Sequence, residues 1–243
     1  MDSETSALAI YLDAPLQSWG VSSRFQRRGT ESAPSKSGIL GLVAAAMGID
    51  KYSPDEQTRL APLAACRFSV FHLAQGENAP PVLRLEDFHT VGGGYPDTPE
   101  GKMHVPPIAK KTKEGDLQWK APDKRTIPTR RFYLEQGRFT AVLEGDSALL
   151  QQVAAALEDP VWGVWFGRKC CLPAAPLLPT LAPSAPEALA SLLEKTGTRL
   201  PGEGCSEQND EGCWHQPDQP VSFGRREFVT RPVLKISNLK SQI

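Results

Sequence analysis

The chain has 243 residues, 40% hydrophobic and 23% charged, which is enough to bury a core and too apolar for an intrinsically disordered segment. Its net charge is −1, so overall charge assigns it no polyanionic or polycationic partner, and 22 prolines announce many rigid loops. The longest uncharged apolar run, residues 38–49, falls short of the about 20 residues a membrane span needs, and the acidic start is unlike a secretion signal.

In chain order, residues 8–12 read as a short buried strand, and the polar stretch 13–34 as a long loop. Ile39, Leu42, Val43, Ala46 and Met47 recur at helical spacing, which predicts a helix over 36–48 with Ser35 or Ser37 as its cap and Gly48 as its stop. Gly38 and Gly41 weaken that helix by up to about 1 kcal/mol each, so something is expected to pack against its first turn. Strands follow at 67–73 and 82–90, the second broken by the glycines at 92–94. Residues 94–124 carry Pro, Gly and Lys without periodicity, which predicts an exposed loop or a mobile hairpin. Alternation over 129–134 and 138–144, around Glu135-Gln136-Gly137, reads as a hairpin. A helix at 147–158 turns Leu149, Leu150, Val153 and Leu157 inward, and VWGVWFG at 161–167 reads as a further strand. Five prolines in 173–186 make an extended connector, 187–220 is acidic and poorly patterned, and 223–236 returns to strand character. The chain has no internal repeat. Antiparallel strands with two interspersed helices fit an α+β sandwich of ferredoxin-like type.

The five cysteines are odd in number, two of them adjacent, so they give no disulfide framework, and the chain is expected in the cytoplasm. Phosphate-loop, dinucleotide, zincin and nucleophile-elbow signatures are all missing from the sequence. Cys205, Cys213 and His215 have the wrong spacing for a zinc site and lack a fourth ligand, so neither metal nor other cofactor is expected. His89, Tyr95 and Lys102 are types that a metal-free ribonuclease uses as base, acid and cation, although such scattered residues occur in most proteins.

Charge is uneven along the chain. Residues 102–138 hold ten Lys/Arg against four Asp/Glu, whereas 187–211 hold two against six. The stretch 15–38 combines Arg24, Arg27, Arg28 and Lys36 with Trp19, Phe25 and several serine hydroxyls, and it leads into a helix N-terminus. Cations neutralise phosphates, aromatic rings stack on unpaired bases, and helix N-terminal amides accept a further phosphate. The competing reading puts Trp19 and Phe25 in the core with the arginines solvated.

The string PLQSWG, then Arg24-Phe25, Arg28, Thr30, Pro34 and KSGI-x-GL-x-AAA-x-G, resembles the N-terminal signature of the CasD branch (subtype I-E) of the fifth Cas family, subunits of the CRISPR Cascade complex. The resemblance continues through LEDFHTVGGG (85–94), TRRFYL with RFTAVLE (129–144), GRKCCLPAAP (167–176) and RREFVTRPV (225–233), more than half the chain in order. It implies an α+β, ferredoxin-like (RRM-related) RAMP fold in residues 1–172, with a protruding β-hairpin thumb at about 90–128 and a small β-rich part at 173–243. It further implies a non-catalytic subunit that grips the 5′ handle of the CRISPR RNA. Such a subunit caps the backbone filament beside the large subunit, meets target DNA only through the complex and touches no membrane. On this reading the RNA-binding residues are Gln17, Ser18, Trp19, Ser23, Arg24, Phe25, Arg27, Arg28, Lys36, Ser37, His89, Arg130, Arg131 and Arg168, with no catalytic residue. A related protein of another subtype cleaves repeat RNA, which leaves a metal-independent endoribonuclease as the alternative.

Overall fold

Seven of the nine residues of the first strand, β1 (Thr5–Asp13), are buried, because the sheet that holds it is covered on both faces. The computed structural model describes residues 4–21, 23–24, 26–76, 81–91, 108–111, 114–115, 117–120 and 127–237. After β1 come three two-residue strands, β2 (Leu16–Gln17), β3 (Ser23–Arg24) and β4 (Arg27–Arg28), then the helices α1 (Lys36–Ala46) and α2 (Glu56–Ala65). Next are β5 (Arg67–His72), β6 (Ala74–Gln75), β7 (Leu83–Val91), β8 (Ile108–Lys111), β9 (Leu117–Lys120), β10 (Ile127–Glu135) and β11 (Arg138–Asp146). The chain continues through α3 (Ser147–Glu158), β12 (Thr180–Ala182), α4 (Ala185–Thr196), β13 (Thr198–Arg199), β14 (Glu203–Ser206), β15 (Trp214–Ser222) and β16 (Glu227–Ser237).

The main sheet runs β12-β1-β11-β5-β14-β16-β15 with every neighbour antiparallel. On one face Leu8, Ile10, Leu12, Phe68 and Leu143 pack with Ile39, Leu40 and Val43 of α1 and Leu150, Val153 and Leu157 of α3. On the other, Ala7, Ala9, Tyr11, Phe71 and Val142 meet Ala188, Leu189 and Leu192 of α4. Each fully buried leucine there contributes roughly 1.5–3 kcal/mol.

A second sheet forms around β10, which pairs β7 on one side and β2 and β4 on the other. The sequence reads β10 and β11 as the two arms of one hairpin, and the structure corrects this: they lie in different sheets. The register explains how. Asp13 faces Arg138 in the main sheet and Leu16 faces Glu135 in the second, so the two segments form a single antiparallel ladder that bends between the sheets. At the bend Gln136 takes a positive φ of 54°, and its N–H donates to Pro15 O at 2.9 Å.

Other expectations also shift. Residues 161–167 are not a strand: the amides of Val161 and Trp162 donate to the carbonyls of Ala46 and Ala45 at the end of α1, and Gly167 sits at φ 92°. The expected loop 13–34 contains three short strands. The supposedly unpatterned 187–220 contributes most of α4 together with β13, β14 and β15, and residues 223–226 turn between β15 and β16 rather than opening a strand. Helix α2 was hidden by its Pro62, yet Glu56, Leu60, Leu63 and Ala64 are buried at helical spacing. Within 94–125 the described residues include the antiparallel pair β8 and β9, with Lys111 opposite Leu117.

Candidate nucleic-acid interface

Arginines meet where β4 pairs with β10. Arg27 is in register with Arg130, and Arg28 with Arg131, in the one parallel pairing among the described strands. Residues opposite one another share a face and successive residues alternate, so Arg27 and Arg130 belong to one face of this sheet and Arg28 and Arg131 to the other. Like charges this close are costly unless partners offset them. Arg27 lies over the Phe132 ring, 5.0 Å from its centroid, and Arg84 of β7 lies over the same ring at 5.6 Å while donating to Thr30 O. Arg130 donates to Glu86 at 3.0 Å, an exposed pair worth about 0–1 kcal/mol and therefore exchangeable for a stronger anion. Arg131 Nε is buried with no hydrogen-bond partner among the described residues.

Arg168 completes the cluster from the irregular segment after α3. It donates to the carbonyls of Phe132 at 2.9 Å and Arg28 at 2.8 Å, and stands 4.6 Å from the centroid of Tyr133. Burial, then the hydrogen bond that the Tyr133 phenol shares with Cys170, pushes the phenol above its ordinary value. Beside Arg28 and Arg168 a cleft of about 190 Å³ opens, walled by Ser18, Trp19, Ser35, Gly38 and Gly167. It shares Gly38 and Gly167 with an apolar groove of about 530 Å³ that runs along α1 past Trp162, Trp165 and Phe223.

Several expected RNA ligands have buried side chains that bond within the protein. Trp19 is 1% exposed; its ring stacks on Phe166 at 5.8 Å and its Nε1 donates to Gln17 Oε1 at 2.9 Å. Gln17, fully buried, donates to Gly137 O at 2.6 Å and fastens the bend of the ladder. Ser18 is buried, its amide donating to Phe166 O and its hydroxyl to Phe132 O. Lys36 is the plainest correction: the side chain is fully enclosed, and Nζ donates to Glu207 at 2.8 Å and Gln219 at 2.9 Å. Burial lowers its pKa, against the opposing pull of Glu207.

The start of α1 is also less open to an anion than the sequence implies. Asp218 takes the Lys36 amide at 2.7 Å and the Ser35 hydroxyl takes that of Gly38 at 3.2 Å. Ser37 is half-buried, its hydroxyl 3.4 Å from that of Ser35. His89 is exposed and hydrogen-bonded to Asp87. Ser23 and Arg24 form β3, while Phe25, Tyr95 and Lys102 lie outside the described residues. Among the described residues no three metal-capable side chains come together, and no helix is long and apolar enough to cross a membrane. Sequence reasoning missed Arg84 and the partners Glu207, Asp218 and Arg231. Arg84 sits in a recognisable strand, but nothing local marks the other three.

A bent antiparallel ladder shared by two sheets, with an arginine cluster on the smaller one, defines a mixed α/β protein with a candidate surface for a polyanion. Comparison with known proteins sharpens that class. The family described as CRISPR-associated protein (Cas_Cas5) matches residues 7–234, and the chain belongs to that family. It is 28% identical over 236 residues to the CRISPR system Cascade subunit CasD of Escherichia coli K12, covering 93% of each chain. Among solved structures it resembles a chain of a CRISPR RNA-guided surveillance complex with a TM-score of 0.66 and 27% identity, over 96% of this chain and 90% of that one. A crystal structure of a Cas protein matches with a TM-score of 0.61 and 26% identity, over 96% of both chains.

Proposed function

We propose that this protein is a non-catalytic, RNA-binding subunit of a CRISPR Cascade complex. It grips the 5′ handle of the CRISPR RNA and caps the backbone filament beside the large subunit, in the cytoplasm. The observation that carries this reading is the paired register Arg27–Arg130 and Arg28–Arg131, with Arg168 beside it. Arginines fixed by backbone pairing are preorganised for phosphate, Arg27 and Arg130 on one face of the sheet and Arg28, in the wall of the cleft, on the other.

The strand order β12-β1-β11-β5, with α1 and α2 before β5 and α3 before β12, supports a ferredoxin-like, RRM-related unit whose last strand, β12 at Thr180–Ala182, carries it past the expected boundary at 172. The segment at about 90–128, with β8 and β9 inside it, would be the thumb that reaches a neighbouring backbone subunit, and 173–243 would pack on the same domain. Co-expression with the other subunits tests the proposal. The purified complex should contain RNA whose sequenced 5′ end derives from the repeat, and complexes carrying Arg27→Ala with Arg28→Ala should lose it at raised salt. A complex that assembles without RNA, or labelled repeat RNA cut by the isolated chain in EDTA and spared by His89→Ala, would sink it.

A further inference from the structure

The C-terminal hairpin reaches across 182 residues to the first turn of α1 through buried charge. Asp218 on β15 is 1% exposed, and its Oδ2 accepts the Lys36 N–H at 2.7 Å. Arg231 on β16 grips the same carboxylate twice, at 2.7 and 3.1 Å, and Gln216 adds a third donor at 3.2 Å. The neighbouring Gln219 shares the Lys36 ammonium with Glu207, which also accepts the Phe68 amide at 3.2 Å. Arg231 lies over the Phe68 ring, 5.1 Å from its centroid. α1, β5, β15 and β16 are thereby joined by directional bonds in addition to the apolar contact between Phe68 and α1.

Buried ion pairs stabilise little compared with apolar side chains of similar shape, and their best attested use is to fix register. The register at stake here is that of the α1 first turn. Ser35 and Gly38 of the α1 start line the 190 Å³ cleft together with Arg28 and Arg168. The arginine part of the lining is tied separately, through Arg168 to Arg28 O and through Trp19 N to Thr30 Oγ1 at 2.8 Å. The width of the cleft therefore depends on where α1 begins.

We propose that Asp218 is a positioning residue: by holding the Lys36 amide it sets the distance between the α1 first turn and the Arg28–Arg168 wall, and so the fit of an RNA phosphate that Asp218 itself never touches. This rests on the RNA-binding reading above. Asp218→Asn is the informative change, because an amide has one acceptor where the carboxylate has two. Its NH2 group then opposes either Arg231 Nε, at the Oδ1 place, or the three donors that converge on Oδ2, Lys36 N–H among them. In the double variant Asp218→Asn with Arg231→Gln, the new amide can donate to the glutamine and return its oxygen to Lys36.

The test uses the full-length chain and the RNA that co-purifies with it, resynthesised with a fluorophore. Asp218→Asn should bind about tenfold more weakly with an unchanged dependence on salt, because no phosphate contact is lost. The double variant should recover most of the affinity. Amide hydrogen exchange should speed up across residues 27–38 in the single variant and stay as in wild type across β1 and β11. Wild-type exchange at 27–38 in a folded Asp218→Asn protein overturns the proposal, and so does a shallower salt dependence, which would make the residue part of the contact surface. Faster exchange with wild-type affinity overturns it too. Should the wild-type chain carry no RNA, the functional reading falls, while the exchange comparison still decides whether Asp218 sets the α1 wall.

Discussion

Trp19 lies against the backbone of Gly38: a Cβ added at residue 38 would stand 2.7 Å from Trp19 Cε3. This is the close packing that the two glycines of α1 lead one to expect. Gly38→Ala gains up to about 1 kcal/mol of helix propensity and loses about 1–3 kcal/mol to overpacking, so net destabilisation is expected. Thermal melts should show a fall of a few degrees, and a Tm equal to or above wild type would mean that the indole can yield. Trp19→Ala should cost about 3–5 kcal/mol, and its RNA binding while folded should keep the wild-type salt dependence. A flattened dependence would return Trp19 to the RNA surface.

The arginine cluster makes a quantitative prediction. For single strands each phosphate contact contributes about 0.7 to the slope of log affinity against log salt. Arg27→Ala with Arg28→Ala should lower that slope by about 1.4 and weaken binding irrespective of sequence, as anisotropy titrations at several salt concentrations would show. An unaltered slope would put the phosphates elsewhere.

Lys36 and Glu207 should respond unequally to removal. Glu207→Ala strands a buried ammonium and should destabilise the fold by about 3–5 kcal/mol. Lys36→Met keeps the volume, and Glu207, whose side chain retains 20% exposure and the Phe68 amide, can be solvated, so its cost should be well below that. Urea denaturation of both variants checks the order. A larger loss for Lys36→Met, or a reduced RNA salt slope in it, contradicts the structural role.

Alkaline pH should destabilise the fold partly through Cys171. Its thiol is fully buried, and burial, then Cys170, pushes its pKa from 9.0 up to about 12. Between those values the unfolded chain releases the proton and the folded one keeps it, so ionisation favours unfolding as pH rises. The slope is at most about 1.4 kcal/mol per pH unit, and below pH 9 this thiol has no influence on pH dependence. Cys171→Ala should lose a constant increment from its small cavity and show a shallower decline of the urea midpoint above pH 9. Parallel declines in both proteins would contradict the assignment.

What the sequence conveys is governed by distance along the chain. Helices α1 and α3 are legible because their apolar residues and caps are local, and Ser35 does cap α1 through the Gly38 amide. β5 and β7 are readable for the same reason. The assignment of β10 and β11 to different sheets is not, because the bend depends on Pro15 and Gln17, more than a hundred residues away, as bonding partners. Tryptophan and lysine in a basic loop look the same whether they face a nucleotide or a core. Trp19 needed Phe166 and Lys36 needed Glu207 before their roles could be told apart. Arg27 and Arg28 are exposed on a two-residue strand, so their place on the surface, though not their ligand, is legible from the polar loop around them.

The bond between Asp218 and the Lys36 amide also has a bearing on the order of events during synthesis. At roughly 5–20 residues per second, the 182 residues that separate them take the ribosome roughly 9–36 seconds to make. β1, too, waits for β11 before it has a neighbour. During that interval the nascent chain carries its arginine-rich N-terminal loop without the finished cleft. The fold is thus closed by its last strands, and a truncated product ending before β15 would lack the carboxylate that holds the first turn of α1, although the apolar face of the helix could still pack. Such fragments, lacking β16 and β15 at the edge of the main sheet, would be substrates for chaperones and proteases.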